Sequence, residues 1–562
     1  MDEGRRQILE TLKKASGEDV GADEVRESPV ADYGCPIGFR LAKKLKRRPE
    51  DISAEVAGRI TAGGIISSAV ADGGYVNFTL DGGGLARLLL SNESKKAGKG
   101  VKVILEHTSV NPTGPVHVGR IRNTVIGDCI RRVLKHSGYD VETHYYVNDV
   151  GKQVAIIAAG LRDGLQPAPE LKEKYRVYSG REDYETFFTY VAANRLFEED
   201  AGFQARVQSM IRAAEAGDKA SLQEITSAAK RCLKGQMQTF DRLGAVFDIF
   251  DYESDGLADG GVDEVLAKVR DSSDYVKNEL GEGLDLGRYG LEKRAGMTVL
   301  ARADGTSVYT TRDLAYHLKK VKLGDRIINV LGEDHKLQFQ ELKTILTNVF
   351  GVTLPLEAVH FSFVSFEGMK FSTRKGDIAS VDELMDEAVA KARAEAEKRN
   401  IGDENTAELI GVGAVRFHII KTTPNKQISF RWEDALNFEG ESGPYIQYAH
   451  ARSCRILEKA EACLDDAAKV GYGAIVDEEK KLIIKLLQFQ DVTEGAAAHL
   501  RPDHIASYLL ELTAAYGRFY MRCPVLDSEP TVRSRRLLLV RRLRDTIKTG
   551  LDLLGIDAPE RM

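Results

Sequence analysis

Between residues 100 and 150 the spacing of apolar positions changes period twice. VKVILEH (101–107) is a β-branched run of strand length. After a turn, Val118, Ile121, Val125, Cys129 and Val133 recur at spacings of three and four, the buried stripe of a helix. Gly138 ends that helix, and YDVETHYYV (139–147) supplies the next strand. Strand, helix and strand in so short a stretch predict a βαβ unit, and with it a parallel sheet and a right-handed crossover. Upstream, GFRLAKKL and DISAEVAGRI carry helical periodicity, GGYVNFTLD alternates as a strand, and a leucine-rich helix runs into the linker-like SNESKKAGKG. Downstream, about 155–245 is helical and charged, an insertion on the sheet domain. Sheet-like segments return with MTVLARA, VYTTRDLAYH, DRIINVLGEDH and AVHFSFVSF, and after about 405 the strand signal vanishes into amphipathic helices. The pattern predicts an α+β unit at 1–95, an α/β parallel-sheet domain at 100–400, and an all-α bundle at 405–562.

Composition narrows this picture. A chain of 562 residues exceeds one core and divides into several domains. An apolar fraction of 43% with 29% charged residues reads as ordinary soluble globular protein. No apolar run approaches the roughly 20 residues that span a bilayer, and MDEGRRQILETLKK has no signal-peptide apolar region, so no membrane partner is expected. The six cysteines are scattered without a C-x-x-C pair, which argues against a zinc module or a disulfide framework and for a reducing cytoplasm. A net charge of −6 advertises no global affinity for nucleic acid, so any such role rests on local patches. One patch holds Arg40, Lys43, Lys44, Lys46, Arg47 and Arg48; the other holds Arg533, Arg535, Arg536, Arg541, Arg542 and Arg544. Each alone is an ordinary solvated helix face. Together, at opposite ends of an acidic chain, they suit one long polyanion touching both.

Candidate chemistry gathers in four stretches. In EHTSVNPTGPVHVGR (106–120) a helix N-terminus follows a strand, offering unpaired N–H groups to phosphate. There His117 can donate to a phosphate oxygen, and Gly119 lets a purine lie close to the backbone. MKFSTRKGD (369–377) sets Lys370, Arg374 and Lys375 beside Ser372 and Thr373, cations that can stabilise a leaving polyphosphate. YTTRD places Tyr309 and Asp313 on one helix face, a ring or hydroxyl beside a carboxylate, as a guanidinium requires. The competing assignment for Asp313 is an exposed ion pair with Arg312 or Lys319. SGPYIQYAHAR aligns Tyr445, Tyr448 and Arg452, which serve either helix packing or stacking of unpaired bases.

HVGR (117–120) resembles the first nucleotide-binding signature of class I aminoacyl-tRNA synthetases, commonly His-Ile/Val-Gly-His, and MKFSTRKGD resembles the second, a Lys-Met-Ser-Lys-Ser relative. With GYVNFTLD, YYVNDVGKQVA, VYTTRDLAYH, EDALNFEGESGPYIQYAHAR and GLDLLGIDAPERM in order, nearly the whole chain resembles the arginyl-tRNA synthetases within that class. The resemblance implies a Rossmann-like catalytic domain, an N-terminal domain that binds the tRNA elbow, and a helical anticodon-binding bundle. It implies an enzyme that uses ATP with Mg2+, L-arginine and tRNA(Arg) and activates the amino acid only once tRNA is bound; beside it, a cytoplasmic monomer without a structural metal is expected. It implies that His117, Gly119, Arg120, Lys370, Ser372 and Lys375 are catalytic, and that Pro115, His117, Gly119 and Lys370 meet ATP. Arginine would lie against Glu106, Ser109, Asn111, Tyr309, Asp313 and His335. Transfer RNA would meet Tyr445, Tyr448, Arg452 and Met562 at one end and Tyr75, Asn77 and Phe78 at the other. Two positions depart from the family pattern: Arg120 stands for a second histidine and Thr373 for a lysine, which leaves Lys370 ahead of Lys375 as the pyrophosphate contact. Three rivals stand beside this expectation. A cysteinyl-type synthetase needs a zinc-binding cysteine set, which is absent, and a small-molecule nucleotidylyltransferase leaves the tRNA-like ends unexplained. A tRNA-binding paralogue without catalysis fits the two departures, but not the retention of Glu106, Asn111, Tyr309 and Asp313.

Overall fold

The structure is a computed structural model that describes residues 3–91, 98–258, 260–291, 296–366, 379–399, 404–460 and 475–562. Its N-terminal unit is an antiparallel sheet of β1 (Arg26–Glu27), β2 (Tyr33–Cys35), β3 (Ile66–Asp72) and β4 (Tyr75–Leu80), ordered β1-β2-β4-β3. Gly73 and Gly74 form the two-residue β3–β4 turn with φ of +52° and +90°, a hairpin geometry that side chains with a β-carbon resist. Alternation along β4 turns Val76, Phe78 and Leu80 into the core and Tyr75 outward. Phe78 has no exposed surface, so its ring supports the sheet and offers no contact to tRNA in this conformation.

The central domain is built on five parallel strands: β5 (Lys102–Glu106), β6 (Asp140–Val147), β7 (Ile249–Tyr252), and, after a small antiparallel sheet of β8 (Tyr275–Asn278), β9 (Gly281–Leu284) and β10 (Thr298–Arg302), β11 (Arg326–Gly332) and β12 (Leu356–Phe361). They lie in the order β12-β11-β5-β6-β7, the doubly wound arrangement whose direction of travel reverses between β5 and β11. The three middle residues of β5 are buried, as both faces of a covered parallel sheet require. The helix Ile121–His136 makes the first crossover, and five helices from Lys152 to Arg242 fill the interval between β6 and β7.

VYTTRDLAYH is not a strand. Residues 309–320 form a helix, because Thr311, Leu314, Ala315, His317 and Lys320 are buried at helical spacing and that packing overrides the β preference of Val-Tyr-Thr-Thr. A second departure is β14 (Ile428–Phe430), a short strand beyond residue 405 that pairs in parallel with β13 (Val364–Phe366). Otherwise the described C-terminal region is helical: Glu404–Ile420, Gly443–Lys459, Asp477–His499, Asp503–Arg522 and Pro530–Leu553 are its long elements. The helix Asp477–His499 also carries the N-terminal sheet, through Lys480 to Asp32 at 2.6 Å and Gln488 Nε2 donating to the Tyr33 hydroxyl at 3.2 Å.

Both basic patches are partly consumed inside the protein. Arg535 and Arg536 converge on the fully buried Glu479 at 3.0 and 2.6 Å. Arg40, Lys44 and Arg47 pair with Glu24, Glu18 and Glu55. A long polyanion therefore does not meet the full charge of either run.

One polar node ties the parallel sheet to the bundle. Arg416, with no exposed surface, sets Nη2 2.7 Å from Asp128 on the first crossover helix and donates from Nε to the Leu554 carbonyl at 3.0 Å and from Nη1 to the Leu243 carbonyl. Arg131 and Arg132 complete the shell of the equally buried Asp128 at 3.0 and 2.8 Å. Gly555, at φ +67°, passes so close that a β-carbon there would stand 2.0 Å from Arg416 Nη2.

Candidate active site

At the carboxyl end of β5 the chain leaves the sheet through Thr108, whose φ of +66° is strained for a β-branched residue. Buried polar contacts hold that turn. Thr108 Oγ1 donates to Thr124 Oγ1 at 3.2 Å and lies 2.6 Å from His107 Nδ1, and its backbone N–H donates to Asn123 Oδ1 at 3.2 Å. Burial pushes His107 down to about 4, so its ring is neutral. The sharp turn sends Ser109 and Asn111 to the rim, where Ser109 Oγ donates to the Tyr146 carbonyl at 2.8 Å.

Between the ends of β5 and β11, at the point where strand order reverses, opens a cavity of about 270 Å³. Glu106, Ser109, Asn111, Tyr309, Asp313 and His335, drawn from three separate stretches of sequence, all line it, together with Arg120. Beneath them runs a polar network that the sequence did not single out. Lys320 is fully buried and contacts Glu106 Oε2 at 2.5 Å, Asn329 Oδ1 at 3.1 Å and His317 Nε2 at 3.1 Å, with its ammonium 4.4 Å from the Tyr316 ring centre. His317 Nδ1 faces Asp313 Oδ1 at 2.9 Å. Burial would raise the Asp313 carboxyl, yet the His317 ring that faces it, with Lys320 and His335 nearby, holds it below the ordinary carboxylate range. The competing ion pair with Arg312 does not form: Arg312 turns to Glu253 at 2.8 Å.

Beside the cavity, His117 caps a single 3-10 turn, Val118–Arg120, and the α-helix itself begins at Ile121. Its Nδ1 accepts the Gly119 N–H at 2.9 Å. A β-carbon on residue 119 would stand 3.0 Å from that nitrogen, so glycine serves the folded-back ring as well as any approaching ligand. Burial first, and then the Arg120 charge, lower the His117 pKa. The neutral ring accepts at Nδ1 and therefore carries its proton on Nε2, a hydrogen-bond donor. Pro115 is buried behind the turn. Lys370, Ser372 and Lys375 lie outside the described residues. The chain that follows them is anchored to the first signature: the Val118 N–H donates to the Ala379 carbonyl at 2.9 Å and the Val381 N–H to the Val116 carbonyl at 2.8 Å.

In the bundle, Tyr445, Tyr448 and Arg452 line one cavity of about 350 Å³. The Arg452 guanidinium sits 4.7 Å from the Tyr448 ring centre and 4.6 Å from that of Tyr520, a stack already assembled in the protein. Met562 is buried beside Tyr448. Thr513 and Tyr516, absent from the sequence-based set, line the same cavity with hydroxyls that find no partner among the described residues. Tyr75 and Asn77 line a third cleft, on the N-terminal sheet, where Ser28 Oγ donates to Asn77 Oδ1 at 2.9 Å.

Family models match the chain in three consecutive segments: an arginyl-tRNA synthetase N-terminal domain over residues 3–80, a class I tRNA synthetase (R) catalytic domain over 85–432, and a DALR anticodon-binding domain over 446–562. An arginine–tRNA ligase of Methanocaldococcus jannaschii is 40% identical over 562 residues, covering 97% of this chain and 96% of that one. The Methanocella arvoryzae ligase is 40% identical, with 95% of each chain covered. Among solved structures, the Thermus thermophilus arginyl-tRNA synthetase is 31% identical with a TM-score of 0.81, covering 99% of this chain and all of its own. The Plasmodium falciparum enzyme, 19% identical, shares the fold at a TM-score of 0.78. A tRNA-binding paralogue without catalysis finds no support among these relatives.

Proposed function

Since this chain belongs to the arginyl-tRNA synthetase family and is a ligase that joins L-arginine to tRNA(Arg), we propose that the cavity at the β5–β11 switch point is its arginine site. The ligase reaction runs in two steps: arginine and ATP give arginyl-adenylate and pyrophosphate, then the acyl group passes to the 3′-terminal adenosine of tRNA and AMP leaves. The side-chain guanidinium lies between Asp313, Tyr309 and Glu106, and the α-amino group meets Ser109 and Asn111 at the rim. What supports this reading is one observation: six residues, Tyr309 and Asp313 chosen for guanidinium chemistry and Glu106, Ser109, Asn111 and His335 from the family resemblance, line a single cavity where an open α/β sheet binds its ligands.

ATP approaches across the His117–Gly119 turn, with Mg2+ arriving on its phosphates. The arginine carboxylate attacks the α-phosphorus, His117 donates from Nε2 to a phosphate oxygen, and Lys370, ahead of Lys375, stabilises the departing pyrophosphate. Positioning and charge stabilisation carry the rate, with no covalent enzyme intermediate. Arg120 at the cavity mouth is placed for phosphate or carboxylate. The Tyr445–Tyr448–Arg452 face, extended by Thr513 and Tyr516, takes unpaired anticodon bases, and the Tyr75–Asn77 cleft takes the tRNA elbow. The enzyme acts as a monomer in the cytoplasm.

The test is ATP–pyrophosphate exchange with each standard amino acid, with and without tRNA(Arg). Exchange is expected with arginine alone among the amino acids, and only when tRNA is present. Equal exchange with lysine would contradict the assignment of the pocket, and exchange without tRNA would contradict the coupling.

A further inference from the structure

Lys320 lies behind the arginine cavity: among the described residues it reaches the cavity only through other side chains, and it belongs to neither signature. We propose that Lys320 and His317 form a buried relay that positions both guanidinium-binding carboxylates, making Lys320 a specificity-determining positioning residue for arginine. The proposal rests on the assignment of Glu106 and Asp313 to the guanidinium.

An ammonium group has three protons and no acceptor. Those of Lys320 have three acceptors within 3.1 Å: Glu106 Oε2, Asn329 Oδ1 and His317 Nε2. The cation is therefore saturated, and it presents no proton to a substrate. Because it can only donate, His317 accepts at Nε2 and carries its own proton on Nδ1, which is shared between Asp313 Oδ1 at 2.9 Å and the Asp313 backbone carbonyl at 3.0 Å. One cation thus reaches Glu106 directly and Asp313 through a neutral imidazole. Each carboxylate engages the relay with one of its oxygens, so that the other can meet the planar, two-armed donor of a guanidinium. The register places Asn329 opposite Glu106 across β11 and β5, so the relay is anchored on the two strands that bound the cavity.

The charges balance in the same sense. Among the relay and its two carboxylates, Glu106 and Asp313 supply two negative charges and Lys320 returns one, which leaves a single negative charge to be met by one cationic side chain, while Arg120 of the same cavity is left to phosphate or carboxylate. A pocket without Lys320 would carry an unmatched carboxylate and a loosely held Glu106. Pre-organised partners are what convert contacts into affinity, since a side chain that must be ordered on binding takes its cost from the complex.

The experiment is steady-state ATP–pyrophosphate exchange in the presence of tRNA, on the full-length enzyme and four variants. Lys320→Met is expected to raise KM for arginine by about 100-fold, with kcat and KM for ATP changed by less than about threefold. Lys320→Arg, which keeps the cation, is expected to recover most of that loss. His317→Leu, which cuts only the branch to Asp313, is expected to raise the same KM by about tenfold. It also decides the matter should Lys320→Met not fold. Parent-like KM for arginine in either folded variant would overturn the relay, as would an equal fall in kcat and rise in KM for ATP. Asp313→Asn separates this from the pocket assignment. Should it too retain the parent KM, the arginine site lies elsewhere; should it lose arginine while Lys320→Met does not, the site stands and the relay falls.

Discussion

Asp313→Asn is expected to lower kcat/KM for arginine by about 10²–10³-fold, nearly all of it through KM, while aminoacylation kinetics in ATP stay close to those of the parent. The substitution keeps the volume of the side chain and removes its charge. It also turns an amide donor toward a ligand that has only donors to offer, so a charge-assisted pair becomes a repulsive contact. The pH dependence follows from the same environment. His317, Lys320 and His335 hold the Asp313 carboxyl below its ordinary 3.8, against the opposing effect of burial. A depressed pKa means that the carboxylate is present at every pH above that value and is lost only as the pH falls through it. No acid limb from Asp313 is therefore expected in arginine saturation between pH 5 and 8, and such a limb in the parent that vanishes in Asp313→Asn would contradict the placement.

Asp128→Asn is expected to destabilise the folded enzyme by about 3–5 kcal/mol, because it leaves the Arg416 guanidinium buried without a carboxylate. Neither Asp128 nor Arg416 has exposed surface, and Arg416 stands on the Leu554 and Leu243 carbonyls at the junction of the catalytic sheet and the bundle. Urea unfolding at pH 7.5, followed by fluorescence of the single tryptophan, Trp432, measures the loss. Burial raises the Asp128 carboxyl, but Arg416, Arg132 and Arg131 overcome that and take it from 3.8 to about 2. Its contribution is fully present above the unfolded value and disappears as the pH falls toward 2, so about 2 kcal/mol of the difference between parent and variant is expected to vanish across that interval. A variant within about 0.5 kcal/mol of the parent at pH 7.5 would show that the node contributes nothing to stability.

The two signatures and the guanidinium pair were legible because each is local. EHTSVNPTGPVHVGR reads as strand, turn and helix start within fifteen residues, and Tyr309 and Asp313 lie one helical turn apart. The rest of the site depends on neighbours distant in sequence. Lys320 is the second lysine of a Lys-Lys pair at a helix end, a pattern that signals a solvated face. Only the adjacency of β5 and β11 buries it against Glu106 and Asn329. The strain at Thr108 has no signal in His-Thr-Ser, since the left-handed turn is imposed by Asn123 and Thr124 on the following helix. Thr513 and Tyr516 look like ordinary members of an amphipathic helix until the Gly443–Lys459 helix is packed against them. Phe78 is the opposite case. Its register with Val76 and Leu80 already marked the inner face of a strand, and a functional resemblance outweighed that pattern.

The most direct test of the arginine pocket is a crystal structure of the enzyme with L-arginine bound. The guanidinium is expected within hydrogen-bond distance of Asp313, Tyr309 and Glu106, with the α-amino group at Ser109 and Asn111. Arginine bound outside the β5–β11 cavity, or with its α-carboxylate turned toward Asp313, would contradict the account.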